Sequence, residues 1–179
     1  MTAGYLIVLL KLRKIFDILF AKVITMVNFA YYDSKIGIIK IGVRNGAVCE
    51  IKFTDNRGKS VPSELSDTAF KEISEYLDGK RKAFDFKITP SGTDFQKRVW
   101  TELCKIPYGE TRTYGEIAAF LGTPKAARAV GNACNKNPIL IAVPCHRVLG
   151  ADGSLTGFAA GIKIKEYLLK LENSVVQLI

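Results

Sequence analysis

Cys145 stands beside His146, the only histidine in the 179 residues of this chain, within the run Pro144-Cys145-His146-Arg147-Val148. The thiolate rather than the thiol is the nucleophile, and a neighbouring base or cation is what makes one. His146 and Arg147 offer one of each. The apolar stretch Ile139 to Val143 in front of them reads as a stiff strand that ends in proline and holds the sulfur. Most free cysteines are small buried hydrophobes, so the cluster alone leaves two readings, nucleophile or core filler. Neighbours in an extended segment also point to opposite sides, so adjacency does not by itself bring the imidazole to the thiol.

The other cysteines are Cys49, Cys104 and Cys134, with no CxxC pair and no second histidine. Structural zinc needs four Cys or His ligands at close spacing, so no metal site is expected. Nothing resembles a disulfide framework, which points to a reducing cytoplasm. The net charge of +9 suits an anionic partner. The excess is spread out: residues 92–179 hold 11 basic and 7 acidic side chains, and residues 26–91 hold 11 and 9.

Tyr5 to Leu10 is far shorter than the ~20 apolar residues that span a bilayer. Lys11, Arg13 and Lys14 follow that run, whereas a signal peptide carries its charge in front. No membrane association is expected. Residues 1–25 read as a peripheral amphipathic helix, an appended regulatory piece, or sequence upstream of a true start at Met26. The last is preferred, because Met26 immediately precedes the first strand-like segment.

The elements that must position the cysteine follow from periodicity and punctuation. Asn28 to Phe53 alternates apolar and polar residues around two turn signals, one near Ser34 to Gly37 and one at Asn45-Gly46, and predicts a small antiparallel sheet. Ser66 to Leu77 predicts a helix with Phe70, Ile73 and Leu77 on one face, stopped by Gly79. Phe84 to Ile88 predicts a last short strand. This half carries no chemical motif and reads as structural support.

Thr89 to Gly92 marks a break. Thr93 with Gln96 forms a capping box for a helix that turns Phe95, Val99 and Leu103 to a core, with Trp100 as packing. Thr113 with Glu116 opens a second helix carrying Ile117, Phe120 and Leu121, ended by Gly122. Thr123-Pro124 then reads as the start of a third, Lys125 to Asn135. Two short helices across a glycine turn are the sequence form of a helix-turn-helix. In the second of them Ala126, Ala129, Val130 and Ala133 make the expected buried stripe. Arg128, Gly131, Asn132 and Asn135 lie opposite, on a small polar face that suits a duplex groove or an ordinary surface helix. The expected fold class is α+β, with an extension over 1–25, a three-stranded antiparallel sheet and helix over 26–89, and a mainly helical unit with a helix-turn-helix over 90–174.

Eight motifs in order, over roughly residues 90–172, carry a resemblance. They are Thr93-Asp94-Phe95-Gln96 with Val99-Trp100, Ile106-Pro107-Tyr108-Gly109, Thr113-Tyr114, Ala127-Arg128-Ala129-Val130-Gly131, Asn137-Pro138, Pro144 to Val148, Gly157-Phe158, and Lys165-Glu166 with Leu168-Leu169 and Glu172. Together they resemble the methylated-DNA–protein-cysteine methyltransferases, also called O6-alkylguanine-DNA alkyltransferases; the N-terminal half matches in layout only.

The resemblance implies an irreversible, single-turnover transfer of an alkyl group to Cys145. The donor would be O6 of a guanine, or O4 of a thymine, flipped out of double-stranded DNA, with no cofactor and a monomeric protein. It implies His146 as base acting through a water, Glu172 as the carboxylate that orients it, and Tyr114 as donor to the guanine. Asn137 would join the recognition helix to the cysteine segment and tie its backbone. Arg128, planar and always charged, would fill the vacated stack, with Thr113, Lys125, Ala126, Ala127 and Gly131 also at the DNA. Val143, Pro144, Gly157, Phe158, Ala159 and Ala160 would line the substrate pocket.

One departure bears on lesion size: Ala160 stands where the family usually has glycine. Phe158 in place of tyrosine is a common alternative. Two rival readings are a cysteine hydrolase using Cys145, His146 and Glu172, and a protein that recognises alkylated DNA without repairing it. Proteins of the second kind lack the cysteine that this chain retains.

Overall fold

The computed structural model describes residues 26–173 and Arg13; the expectations for the rest of residues 1–25 lie outside the described residues. Strands β1 (Asn28–Ser34), β2 (Gly37–Arg44) and β3 (Ala47–Thr54) form the antiparallel sheet in that order. Asn45 and Gly46 join β2 to β3 with φ of 52° and 69°, the pair of positive values that lets a two-residue loop follow the strand twist. Ile39, Ile41, Val48 and Ile51 are fully buried, and helix α1 (Glu64–Leu77) packs on the sheet with Ala69, Ile73, Tyr76 and Leu77 buried.

Helix α1 starts two residues before the expected Ser66. Ser63 accepts from the Ser66 amide at 3.2 Å while Ser66 Oγ accepts from the Ser63 amide at 2.8 Å. Serine thus closes a capping box in the place of the usual Glu or Gln. Phe84 to Ile88 is not a strand. One parallel bridge joins Ile88 to Val48, and the Phe84 and Phe86 rings lie tilted to each other with centroids 5.4 Å apart, with Phe84 also 5.4 Å from Tyr76. Aromatic packing sets the path of this segment in place of a ladder.

Helix α2 (Asp94–Leu103) carries the Thr93–Gln96 box and buries Val99, Trp100 and Leu103. Strand β4 (Arg112–Thr113) pairs in parallel with β5 (Val148–Leu149). It leads into α3 (Tyr114–Phe120), capped by Thr113 and Glu116. Gly122, at φ 73°, ends α3: its amide reaches Ala119 O and the Thr123 amide reaches Ala118 O, both at 2.9 Å. This is the two-bond helix stop that glycine permits. The last helix is α5 (Ile162–Glu172).

Helix α4 (Ala127–Asn135) starts later than expected, with Ala126 as an N-cap that makes no side-chain bond. Thr123 cannot cap it, because its hydroxyl donates to Ala118 O at 3.4 Å and its carbonyl takes the Ala126 amide at 2.8 Å. Thr123 to Ala126 is therefore a turn. The buried stripe is Val130, Ala133 and Cys134, and Ala129 is exposed. Phe120 is exposed as well, at 61%, while Ile117 and Ala118 face inward. Among the described residues no helix is long and apolar enough to cross a membrane.

Trp100 ties α2 to α4: it is 1% exposed and its Nε1 donates to Ala133 O at 2.9 Å. Trp100→Phe removes that bond and leaves buried volume unfilled. It is expected to destabilise the fold by about 1–3 kcal/mol, measured by chemical denaturation; an unchanged midpoint would mean that the bond contributes nothing.

Candidate active site

The segment that carries the cysteine is a chain of tight turns, not the strand its apolar composition predicts. It leaves the edge of β3, where the Ile51 amide donates to Pro138 O at 2.8 Å and the Leu140 amide to Ile51 O at 3.0 Å. The Ala142 amide then bonds Leu140 O at 2.9 Å around Ile141 at φ 71°, a γ-turn of the rare positive-φ kind. The Cys145 amide bonds Val143 O at 2.8 Å around Pro144 at φ −82° and ψ 58°, the inverse γ-turn. Cys145 to Arg147 complete the path as one 3-10 turn. A buried β-branched residue at positive φ costs about 1–3 kcal/mol and persists only where its surroundings impose it.

Asn137 is a large part of those surroundings. Fully buried, its Oδ1 accepts the Ile139 amide at 2.9 Å, and its Nδ2 donates to Val143 O at 2.9 Å and to Cys145 Sγ at 3.1 Å. One side chain thus braces the turns and touches the sulfur. Cys145 is itself buried. Burial pushes its thiol up to about 11, against the Asn137 hydrogen bond and the Lys165 charge, which pull it down. At neutral pH the sulfur rests protonated and needs a base.

His146 pairs with Glu172, with Nε2 2.8 Å from Oε1. Arg147 donates Nε to Oε2 and Nη2 to Oε1, each at 2.8 Å, and the Gly109 amide donates to Oε2 at 3.1 Å. Burial pushes the Glu172 carboxyl up, but the hydrogen bonds from His146, Arg147 and Tyr76 outweigh it and hold it well below the usual carboxylate range. An ionised carboxylate only accepts, so the imidazole proton sits on Nε2. Burial also lowers the pKa of His146 by more than Glu172 raises it, so the ring is neutral. That leaves Nδ1, buried and without a hydrogen-bond partner, as a free basic lone pair one residue from the thiol.

Two residues of this assembly, Tyr76 and Lys165, carry no role in the sequence reading, and a third, Arg147, carries a different one. Expected as a cation for the thiol, Arg147 instead clamps Glu172 and donates Nη1 to Ile106 O at 2.6 Å. Tyr76, from the half read as mere support, donates its hydroxyl to Glu172 Oε1 at 2.5 Å. Lys165 is fully buried and gives its ammonium to Val148 O at 2.5 Å and Thr156 O at 2.7 Å. Lys165 falls within the last motif of the resemblance, which assigns it no role.

Tyr114 is half-buried and donates to Thr156 O at 3.0 Å. Gly157, at φ 58°, lies beneath it: a Cβ there would come within 3.3 Å of the Tyr114 hydroxyl. Ala159 and Ala160 line a cavity of about 260 Å3 with Asn137, Leu140, Lys52 and Phe53, and Phe158 sets its ring edge-on to His146 at 6.4 Å. Val143 and Pro144 border cavities behind the turn instead. Lys125 and Arg128 are exposed, with Ala126, Ala127 and Gly131 half-buried between them and α3. Thr113 is committed to Glu116, bonding both its amide nitrogen and its Oε2.

Comparison with known proteins identifies relatives. Residues 94–174 match the family described as 6-O-methylguanine DNA methyltransferase, DNA binding domain. The methylated-DNA–protein-cysteine methyltransferase of Methanosarcina acetivorans is 50% identical over 153 residues, 82% of this chain and 98% of that protein. The inducible protein of the same name from Bacillus subtilis is 43% identical over 152 residues, 82% of this chain and 84% of its own. Among solved structures, Mycobacterium tuberculosis OGT in complex with DNA superposes with a TM-score of 0.76 at 44% identity. That alignment covers 83% of this chain and 94% of the other.

The buried groups fix how stability varies with pH. His146 titrates below its ordinary 6.5 when folded, so the unfolded chain takes the proton first and stability is lost as pH falls below that value. Glu172, held low, adds to the loss as pH falls through the carboxylate range. Cys145 rises from 9.0 to about 11, so the unfolded chain releases its proton first and stability is lost as pH rises across that interval; Cys134, also raised by burial, contributes. The expected outcome is a plateau in unfolding free energy between about pH 6.5 and 9, measured by denaturant titration, with Cys145→Ala flattening the alkaline limb. Stability that rises above pH 9 would contradict a buried protonated thiol.

Proposed function

The chain belongs to the methylated-DNA–protein-cysteine methyltransferase family, and from that premise we propose that it repairs DNA by moving an alkyl group from O6 of guanine onto Cys145 Sγ. The observation that carries this reading is the pairing of a buried thiol with a neutral imidazole whose Nε2 is committed to Glu172 and whose Nδ1 is free.

His146 Nδ1 takes the thiol proton through a bridging water, following the nucleophile–base–orienter logic. The thiolate attacks the alkyl carbon from the side opposite O6. As the S–C bond forms the C–O6 bond breaks, and its electron pair passes to the guanine, which is neutralised by a proton from Tyr114; the imidazolium proton of His146 then returns through water to the Tyr114 phenolate, so that both groups end neutral. The resting Tyr114 hydroxyl donates to Thr156 O, which also holds the Lys165 ammonium; Lys165 keeps that carbonyl satisfied when Tyr114 turns to the base. Lys165 also places a cation near the sulfur as its negative charge develops. The product is a thioether that no group in the site can cleave, so each molecule acts once and without a cofactor. O4-alkylthymine presents the same chemistry at a smaller base.

The target atom is shielded inside a duplex, so the nucleotide must be extruded. The α3–α4 pair serves as the helix-turn-helix over 90–174, with 26–89 as support, in a protein that works as a monomer on double-stranded DNA in the cytoplasm. The small residues Ala126, Ala127 and Gly131 let α4 approach the groove, Lys125 reaches the backbone, and Arg128 fills the vacated stack. Thr113 acts at one remove, by capping α3. A hydrolase or a non-repairing binder fits less well, because the relatives are named as methyltransferases and the cysteine is present.

Incubation with O6-methylguanine duplex is expected to add one methylene equivalent, permanently, to the peptide that contains Cys145, read by intact and peptide mass. Cys145→Ala should bind DNA and gain nothing; alkyl transfer by this variant would refute the assignment.

Arg128→Ala separates extrusion from simple DNA affinity. Phosphate contacts act on all DNA alike, whereas extrusion is worth a few kcal/mol. Repair of duplex should therefore fall by at least about tenfold, with a smaller loss on free O6-methylguanine. Equal losses on both substrates would show that Arg128 is not the wedge.

A further inference from the structure

Glu172 Oε1 is shared between two halves of the molecule. His146 Nε2 approaches it at 2.8 Å from the cysteine turn, and Tyr76 Oη at 2.5 Å from α1, with 3.4 Å separating Oη from Nε2. Tyr76 is 1% exposed and fixed by its ring, tilted on Phe84 at 5.4 Å and edge-on to Tyr108 at 6.0 Å. Phenylalanine would make those same ring contacts, so packing does not account for the hydroxyl. Burial and the facing Glu172 charge both keep the phenol protonated, so it is a permanent donor.

We propose that Tyr76 is a positioning residue for the base: by donating to Glu172 Oε1 it draws off part of the carboxylate's charge, and so keeps His146 neutral and protonated on Nε2. The proposal rests on the alkyl-transfer reading above and deepens it, because it makes the N-terminal half part of the catalytic assembly. The groups facing His146 are Glu172 and Lys165 from α5, Cys145 and Arg147 from its own turn, Tyr76 from α1, and the Phe158 ring edge; Tyr108 stands behind Arg147 and Tyr76. Glu172 alone among them favours an imidazolium, and Lys165 and Arg147 oppose it. Tyr76 moderates the one group that favours it. Without the hydroxyl, Oε1 concentrates its charge on the Nε2 proton, the imidazolium is stabilised, and less free base remains at a given pH.

The chain has a single histidine, so the full-length protein labelled with 15N-histidine reports this ring alone. In the wild type the ring nitrogens should show the neutral Nε2–H form at neutral pH. In Tyr76→Phe the protonation midpoint should rise by about one pH unit, the equivalent of one hydrogen bond to a charged group. The acid limb of the alkyl-transfer rate should move by the same amount, so that transfer below the midpoint falls by up to about tenfold with DNA affinity unchanged. A purely structural role would lower the melting temperature and move neither midpoint. Identical nitrogen titrations in the two proteins overturn the proposal.

Should Tyr76→Phe fail to fold, 3-fluorotyrosine at position 76 keeps the ring and strengthens the donor. Both midpoints should then move down, and an unmoved midpoint overturns the proposal. A wild type that transfers no alkyl group would count against the proposed function, and the nitrogen titrations would still decide the role of Tyr76.

Discussion

A carboxylate almost wholly withdrawn from water, at the end of the last helix, is the constraint on which the rest of this structure depends. An isolated buried charge is untenable, and a paired one is tolerated only when its remaining lone pairs are also met. Glu172 meets that condition with donors from three separate segments: Tyr76 from α1, His146 and Arg147 from the cysteine turn, and the Gly109 amide from the loop before β4. Asn173 then holds Gly109 through its carbonyl at 2.6 Å. None of these segments is near another in sequence. The site therefore exists only once both halves have folded, and the charge that would be most costly to bury alone becomes the clamp that joins them.

The same dependence explains why the nucleophile sits in strained backbone. Ile141 in a positive-φ turn is unfavourable by itself, and it is held from one side by β3 and from the other by Asn137. The N-terminal sheet is usefully regarded as a jig: Ile51 bonds both Pro138 and Leu140, and so fixes where the chain enters the turns. A thiol raised to about 11 by this burial is inert at rest. For a group that can react only once, low resting reactivity is an advantage. Activation is reserved for the moment when base, cation and alkyl carbon meet around the sulfur.

Much of this was legible in the sequence, for identifiable reasons. The capping boxes at Thr93 and Thr113 and the Asn45-Gly46 hairpin are local chemistry, and they occur where the residues predict. The start of α4 was misplaced because Thr123 has two possible partners, its own helix and the preceding one, and only the tertiary arrangement decides between them. Ile139 to Val143 has strand composition but is bent by Asn137, whose bonds span six and eight residues. Tyr76 was invisible as a site residue: a tyrosine on the buried face of a helix looks like any aromatic core residue until its hydroxyl is seen to reach Glu172, 96 residues away. Periodicity reports which face is buried, and says nothing of what a polar atom on that face will meet.

Helix α5 shows how two buried charges can be made to cooperate. Lys165 and Glu172 are seven residues apart, two helical turns, so both project from one face with Leu168 buried between them. The ammonium lies on the sulfur side, donating to Val148 O and Thr156 O, and the carboxylate lies on the imidazole side. In the proposed transfer of a proton from Cys145 to His146, the sulfur becomes negative and the ring positive. The helix already presents charge of the opposite sign to each. Such fixed charges need not reorganise when the reaction begins, which is the condition under which electrostatics lower a barrier most. At rest the two charges are satisfied by backbone carbonyls, Arg147 and Tyr76, so neither forces the thiol to ionise early. The arrangement thus favours the ion pair only in its transient form, while the ground state stays neutral and stable.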